Sequence, residues 1–200
     1  MIGLPGETDA DVAGIARMAA TAARLAKEIA RGRARLSLAV SSFVPKAHTP
    51  FQLEPFAGEA VLRRRQQSLR DAMPRNVRVS FHDVAASVVE ATLARGGPGS
   101  DRLVEEAWRR GARFDGWTEH FRFAFWAAAA EVCGIELGAT DPRSAGTLPW
   151  ESAVAPGVTQ AFLADEQARA VRGELTDDCR DGTCTACGVC GAGVEMDVLP

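Results

Sequence analysis

The sequence predicts an α/β region at its amino-terminal end, then a mainly helical region, then a cysteine-rich tail. Three observations predict it. A tight turn and a long alanine-striped helix lead into a short apolar strand, the arrangement of a βα unit in a parallel sheet. Beyond residue 82 the texture changes to amphipathic helices with brief Gly or Pro breaks. The chain then closes on Cys179, Cys184, Cys187 and Cys190 in the pattern C-x4-C-x2-C-x2-C.

Gly3-Leu4-Pro5-Gly6-Glu7-Thr8 reads as a strand-to-helix turn. Thr8 is a good N-cap, Asp11 three residues on imitates a capping box, and Asp9 and Asp11 suit the positive end of the helix dipole. The helix is expected to run to about residue 31, with Val12, Ile15, Ala16, Ala19, Ala23, Ala26 and Ala30 on one face and Gly32 as its stop. Residues 36–44 form the best strand, apolar on both parities after Leu38, which predicts cover on both faces. The strand that should precede the first turn is nearly absent, because the chain opens at Met1-Ile2. That points to a fragment, or to a start codon placed downstream of the true one.

Pro45-Lys46-Ala47-His48-Thr49-Pro50-Phe51 is a loop, with Lys46 and His48 as loop residues rather than catalysts. Residues 58–73 predict a helix with Val61, Leu62, Leu69 and Met73 inward and Arg63, Arg64, Arg65, Gln66 and Gln67 outward. Pro74 ends it, and residues 77–81 alternate as a strand. Helices follow at about 83–95, 101–111, 119–134 and 159–172. Gly96-Gly97-Pro98-Gly99-Ser100 links the first two, with Ser100 as an N-cap. Val88, Val89, Leu93, Leu103, Val104, Ala107 and Trp108 supply two faces that pair, and Phe114, Trp117, Phe121, Phe123, Phe125 and Trp126 read as helical core. The expected divisions are 1–82, 83–175 and 176–200.

The net charge of −3 provides no basic face for bulk nucleic-acid binding, and 46% hydrophobic content is that of a globular protein. No apolar run is long enough to span a bilayer and the opening residues are not a signal peptide, so no membrane partner and a cytoplasmic location are expected. In a reducing compartment, four clustered cysteines suggest a metal or cluster before disulfides. The fifth, Cys133, reads as a small hydrophobe in an apolar helix. The overlapping C-x2-C-x2-C is ferredoxin-like and suits an iron–sulfur cluster. Zinc prefers two knuckles separated by a longer insert. Free or redox-paired thiols are the third alternative. With either metal, binding would supply on the order of 10 kcal/mol to order a Gly-rich segment from about residue 176 onward.

Two further stretches carry a resemblance. Gly3-Leu4-Pro5-Gly6-Glu7-Thr8-Asp9 with its long helix, and Ser42-Phe43-Val44-Pro45-Lys46-Ala47-His48-Thr49-Pro50-Phe51-Gln52, resemble the second half of a radical S-adenosylmethionine barrel. They are similar to the tRNA methylthiotransferases and, more closely, to the radical enzymes with a cobalamin-binding domain. Arg109-Arg110-Gly111-Ala112-Arg113-Phe114-Asp115-Gly116-Trp117, Leu148-Pro149-Trp150, Gly173-Glu174-Leu175-Thr176 and the Cys tail resemble the C-terminal region of one uncharacterised group of these proteins, usually fused to a cobalamin-binding-like domain. The resemblance implies the last part of a partial (β/α) barrel, then a helical domain and a cluster-binding tail. The family's CxxxCxxC loop is absent from this sequence. The implied function is therefore that of a C-terminal portion, inactive alone, of an enzyme using an iron–sulfur cluster and S-adenosylmethionine on an unknown substrate, with cobalamin allowed. Its partner would be the missing N-terminal radical half.

The same resemblance implies that Gly3, Gly6, Glu7 and Ser42 lie near S-adenosylmethionine, while Cys179, Cys184, Cys187 and Cys190 hold the iron–sulfur cluster or zinc. From spacing alone, Gly3, Gly6 and Glu7 make a plain βα turn with a first-turn carboxylate. Asp115, Glu119 and His120 suit acid–base work or, more simply, a helix start. The alternative to an enzyme fragment is a non-catalytic zinc or iron–sulfur module that contacts RNA or a protein partner.

Overall fold

Thr8 starts the first helix. Its hydroxyl accepts from the Asp11 amide while the Asp11 carboxylate takes the Thr8 N–H, a reciprocal box that fixes the entry of α1, Asp9–Ile29. The computed structural model of the chain describes residues 1–31, 35–97, 99–138, 148–151, 153–181 and 184–192. The expected helix stop at Gly32, the linker residue Pro98 and the tail glycine Gly182 lie outside these residues. β1, Leu36–Val40, is followed by α2, Glu59–Ala72, and β2, Val77–Phe81. Four helices complete the described part: α3 (Val84–Arg95), α4 (Ser100–Arg109), α5 (Phe123–Cys133) and α6 (Gln160–Arg172). The chain divides into two units, Met1–Val44 with Pro55–Thr140, and Pro45–Glu54 with Asp141–Pro200.

In the first unit β1 and β2 pair in parallel, with Leu36 opposite Val77 and Val40 opposite Phe81, and α2 makes the crossover. Ile2 joins by a single parallel bridge to Ser42, donating to Ser41 O at 3.0 Å and accepting from Phe43 N at 2.7 Å. The fold is thus a mixed one with a small parallel sheet, and no barrel closes among the described residues. Ile2, Val12, Ala16, Val40, Leu62, Leu69, Val84 and Val88 share one core. Val89, Leu103, Ala107, Trp126, Ala129 and Ala130 form a second.

Five expectations are corrected here. β1 alternates instead of burying both faces: Ser37 and Ala39 are exposed, opposite exposed Arg78 and Ser80. Arg65 and Gln66 are buried, not outward, because they lie on the α2 stripe that also carries Leu62 and Leu69. Ser100 is the first helical residue, and Gly99, in the left-handed region, takes the N-cap. Val104 and Trp108 face outward, since α4 buries only Leu103 and Ala107. The aromatic run is split. Trp126 is buried, whereas Phe114 and Trp117 are 67% and 58% exposed in turns that delay the start of α5 to Phe123.

In the second unit Gln52 is a hub. Its Oε1 accepts from Trp150 Nε1 and from His48 N, each at 3.0 Å, and its Nε2 donates to Gln160 Oε1 at 2.6 Å. Gln167 Nε2 reaches Glu54 Oε1 at 2.8 Å, so the C-terminal end of the 45–54 loop is tied to α6 at two points. Gln52, Trp150 and Leu163 are buried.

Candidate functional site

The turn before α1 is built around a buried ion pair. Glu7 Oε2 accepts from Gly3 N at 2.8 Å and from Arg65 Nη1 at 2.6 Å, and Arg65 Nη2 donates to Glu7 O at 2.7 Å. The Glu7 and Arg65 side chains are 6% and 10% exposed. The turn is therefore clamped to α2 by charge-assisted bonds. Gly3 has φ +90°, and a Cβ there would lie 2.9 Å from Leu62 Cδ2, so conformation and packing both require glycine. These contacts account for Gly3 and Glu7 within the protein. Gly6, at φ +71°, has open space where a side chain would be. Ser42 Oγ is buried and has no hydrogen-bond partner among the described residues. Of the four residues read as facing S-adenosylmethionine, Gly6 thus borders open space, and Ser42 holds a buried hydroxyl without a partner among the described residues. Sequence reasoning missed Arg65 because it sits in a run of three arginines. Its place three residues after Leu62 and four before Leu69 was the signal.

The cysteine tail folds through two short 3-10 turns, Cys179–Asp181 and Val189–Ala192, which carry Cys179 and Cys190. Between them, Cys184-Thr185-Ala186-Cys187-Gly188 makes a knuckle. The Ala186 N–H points at Cys184 Sγ at 3.4 Å, with Ala186 and Gly188 both at positive φ (54° and 96°). The knuckle rests on the start of α6. Thr159 N donates to Cys187 O at 2.9 Å, and a Cβ on Gly188 would lie 2.7 Å from both Gly157 O and Thr159 Cγ2. A cavity of about 330 Å³ flanks Cys184, lined by Asp165, Glu166, Arg169, Thr176 and Asp177 among others. Beside Cys179, a hydrogen bond from Arg180 holds the Asp178 carboxyl down at about 2.

Cys179 and Cys187 are half-buried, and Cys184 and Cys190 are exposed. No three His, Cys, Asp or Glu side chains among the described residues converge as a metal-binding group. The donor set nevertheless fits a soft metal: four thiols lie within twelve residues, and one sulfur already receives a backbone N–H.

No protein-family model, curated protein or solved structure matches this chain. No described helix is long and apolar enough to cross a membrane. Cys133 ends α5 half-buried. Asp115 accepts from Trp126 Nε1 at 2.9 Å, and the His120 ring lies 6.0 Å from that of Phe114. Glu119 stands in the turn before α5, outside its first turn, and its carbonyl accepts from Arg122. Lys46 and His48 remain in the 45–54 loop, as expected.

Proposed function

We propose that the chain is the C-terminal portion of a radical S-adenosylmethionine enzyme, inactive alone, whose terminal cysteines bind an iron–sulfur cluster or zinc. The observation that carries the metal reading is the Ala186 N–H aimed at Cys184 Sγ inside the C-x2-C knuckle. A backbone N–H at a ligand's sulfur is the kind of outer contact that orients it toward a metal. Cys179, Cys184, Cys187 and Cys190 would hold the centre. It would supply folding free energy and, if iron–sulfur, a one-electron carrier. The chain's own contribution is a platform: Thr159 and Gly157 hold the knuckle by its backbone and leave the Cys184 sulfur exposed.

The barrel part of the reading is supported by the parallel order of Ile2, β1 and β2 and by the motif residues of the first turn. Here Glu7 and Arg65 shape the turn, and Ser42 and Gly6 are the residues left to face the cofactor's nucleoside. The radical-generating cluster would be bound by a CxxxCxxC outside this sequence.

Iron, sulfide and zinc analysis with a visible spectrum, on protein purified without oxygen, tests the tail. One metal centre per chain is expected, lost in Cys184→Ser and weakened in Gly188→Ala. Colourless, metal-free protein overturns it. For the barrel part, an in-frame CxxxCxxC is expected in the DNA upstream of Met1, and a stop codon immediately before Met1 overturns it.

A further inference from the structure

A groove of about 760 Å³ lies at the amino end of the sheet, the end opposite to where parallel sheets usually hold ligands. It is lined in part by Lys27, Arg35, Ser37, Asn76 and Arg78, all in the first unit. Its cations come from three places in the chain. Lys27 stands in the last turn of α1, and Arg35 directly precedes β1. Arg78 is on β2, where the parallel register sets it beside Ser37 on the exposed face of the sheet.

Nothing matches these charges. Elsewhere the chain pairs its arginines one helical turn away: Arg24 with Glu28, Arg63 with Glu59, Arg109 with Glu105, Arg110 with Glu106 and Arg169 with Asp165. Among the described residues, Lys27, Arg35 and Arg78 have no ion pair, hydrogen bond or ring contact. The same holds for Arg31, just past α1, and for Arg75, next to Asn76 in the chain. No carboxylate of the described residues lines the groove. Glu28, the residue after Lys27, is engaged by Arg24, and Asp71, near the end of α2, accepts from Gln67 Nε2.

Lys27 and Arg31 have a local use, since cations offset the negative end of the α1 dipole. Arg35 and Arg78 have none. Like charges held around one concavity repel, and a bound anion removes that cost. The lining also sets the kind of anion. Two guanidinium forks suit phosphate oxygens, Lys27 adds a point charge, and Ser37 and Asn76 are neutral donors. A nucleic-acid strand is held by a basic track with aromatic rings on which its bases stack. Here the cations share a single cavity, and no aromatic ring of the described residues lines it. That favours a compact ligand, and the volume suits one.

We propose that this groove binds a small ligand bearing linked phosphates, a di- or triphosphate held by Lys27, Arg35 and Arg78. The phosphates are read by charge and by hydrogen-bond donors, and the rest of the ligand extends toward solvent. The site is independent of the cysteine tail and of the radical-enzyme reading.

The test is a calorimetric and amide NMR titration of the full chain with sodium tripolyphosphate at low salt. Orthophosphate, a short oligouridylate and a glutamate oligopeptide, the last two matched in charge to tripolyphosphate, are titrated in parallel. Tripolyphosphate is expected to shift the amides of Lys27, Ser37 and Arg78. It should bind at least about tenfold more tightly than orthophosphate, because a single phosphate meets fewer of the charged donors. Arg35→Gln and Arg78→Gln should each weaken it by at least about threefold, the scale of exposed charge pairs. Arg102→Gln removes a cation that also has no partner among the described residues but lies on α4, outside the groove, and should leave binding unchanged. The three arginines are exposed, so these variants are expected to stay folded. The proposal is overturned if millimolar tripolyphosphate leaves those amides unmoved, if orthophosphate binds as tightly, or if Arg102→Gln weakens binding as much as Arg78→Gln. It is also overturned if the oligouridylate or the glutamate peptide binds the groove more tightly than tripolyphosphate, since the partner is then a nucleic-acid strand or an acidic protein.

Discussion

Glu7→Gln isolates the charge of the buried pair while keeping its shape. In the wild type, the Glu7 carboxylate neutralises an Arg65 guanidinium whose side chain is 10% exposed, 2.6 Å away. Removing one partner of such a pair costs about 3–5 kcal/mol, because the other charge stays buried and uncompensated. The lower end applies here, since a Gln oxygen still accepts from Arg65 and Gly3 N, and Arg65 Nη2 keeps the Glu7 carbonyl. About 3 kcal/mol in a unit of this size corresponds to roughly 10 °C in Tm. Thermal unfolding by circular dichroism, with urea midpoints at unchanged m-value, measures it. The companion variant Glu7→Met with Arg65→Leu removes both charges and should recover most of the loss, because apolar replacements of a buried pair are close to neutral. If Glu7→Gln unfolds within about 0.5 kcal/mol of the wild type, the clamp is not a desolvated ion pair. If the double variant is no better than the single one, the loss comes from shape and not from charge.

In the second unit, Gln52→Leu removes the bonds from Trp150 Nε1 and His48 N and the one donated to Gln160 Oε1, and should lower stability by about 2 kcal/mol. It should also shift the emission of the buried Trp150, and an unmoved urea midpoint would contradict the hub. In the tail, Asp178 should titrate at about 2, against an ordinary carboxyl at 3.8, because Arg180 donates to its charged form. The sign follows: the stabilisation is complete above 3.8 and is lost as pH falls through about 2. A carboxyl carbon titration in the wild type and in Arg180→Gln checks this. Near-ordinary titration in both would refute the pairing.

What the sequence disclosed was local. The capping box at Thr8 and Asp11 needs only residues three apart, and the alternation of Val77–Phe81 needs only five in a row. Arg65 was hidden because a basic run reads as solvated face until the partner is known, and that partner lies 58 positions earlier. β1 looked like a strand covered on both sides because Ala39 and Val40 are both apolar. Burial, however, depends on which layers exist, and among the described residues Ser37 and Ala39 meet none. Cysteine spacing suggested a ligand set, but no three such side chains converge among the described residues, and how sulfurs approach one another is a tertiary property that spacing does not carry. The groove at the carboxyl end of β2 had no motif at all: Arg70, His82 and Asp115 line it from α2, from the end of the strand and from the turn before α5.

Thr159 holds three positions at once. Its Oγ1 caps α6 at Phe162 N, its own N–H holds Cys187 O, and its methyl group lies against Gly188. The first turn of the last helix therefore serves as a gauge of the tail. Whatever tightens residues 184–188 should slow solvent exchange at the Thr159 and Phe162 amides, so occupancy of the sulfurs can be read from backbone that carries no thiol.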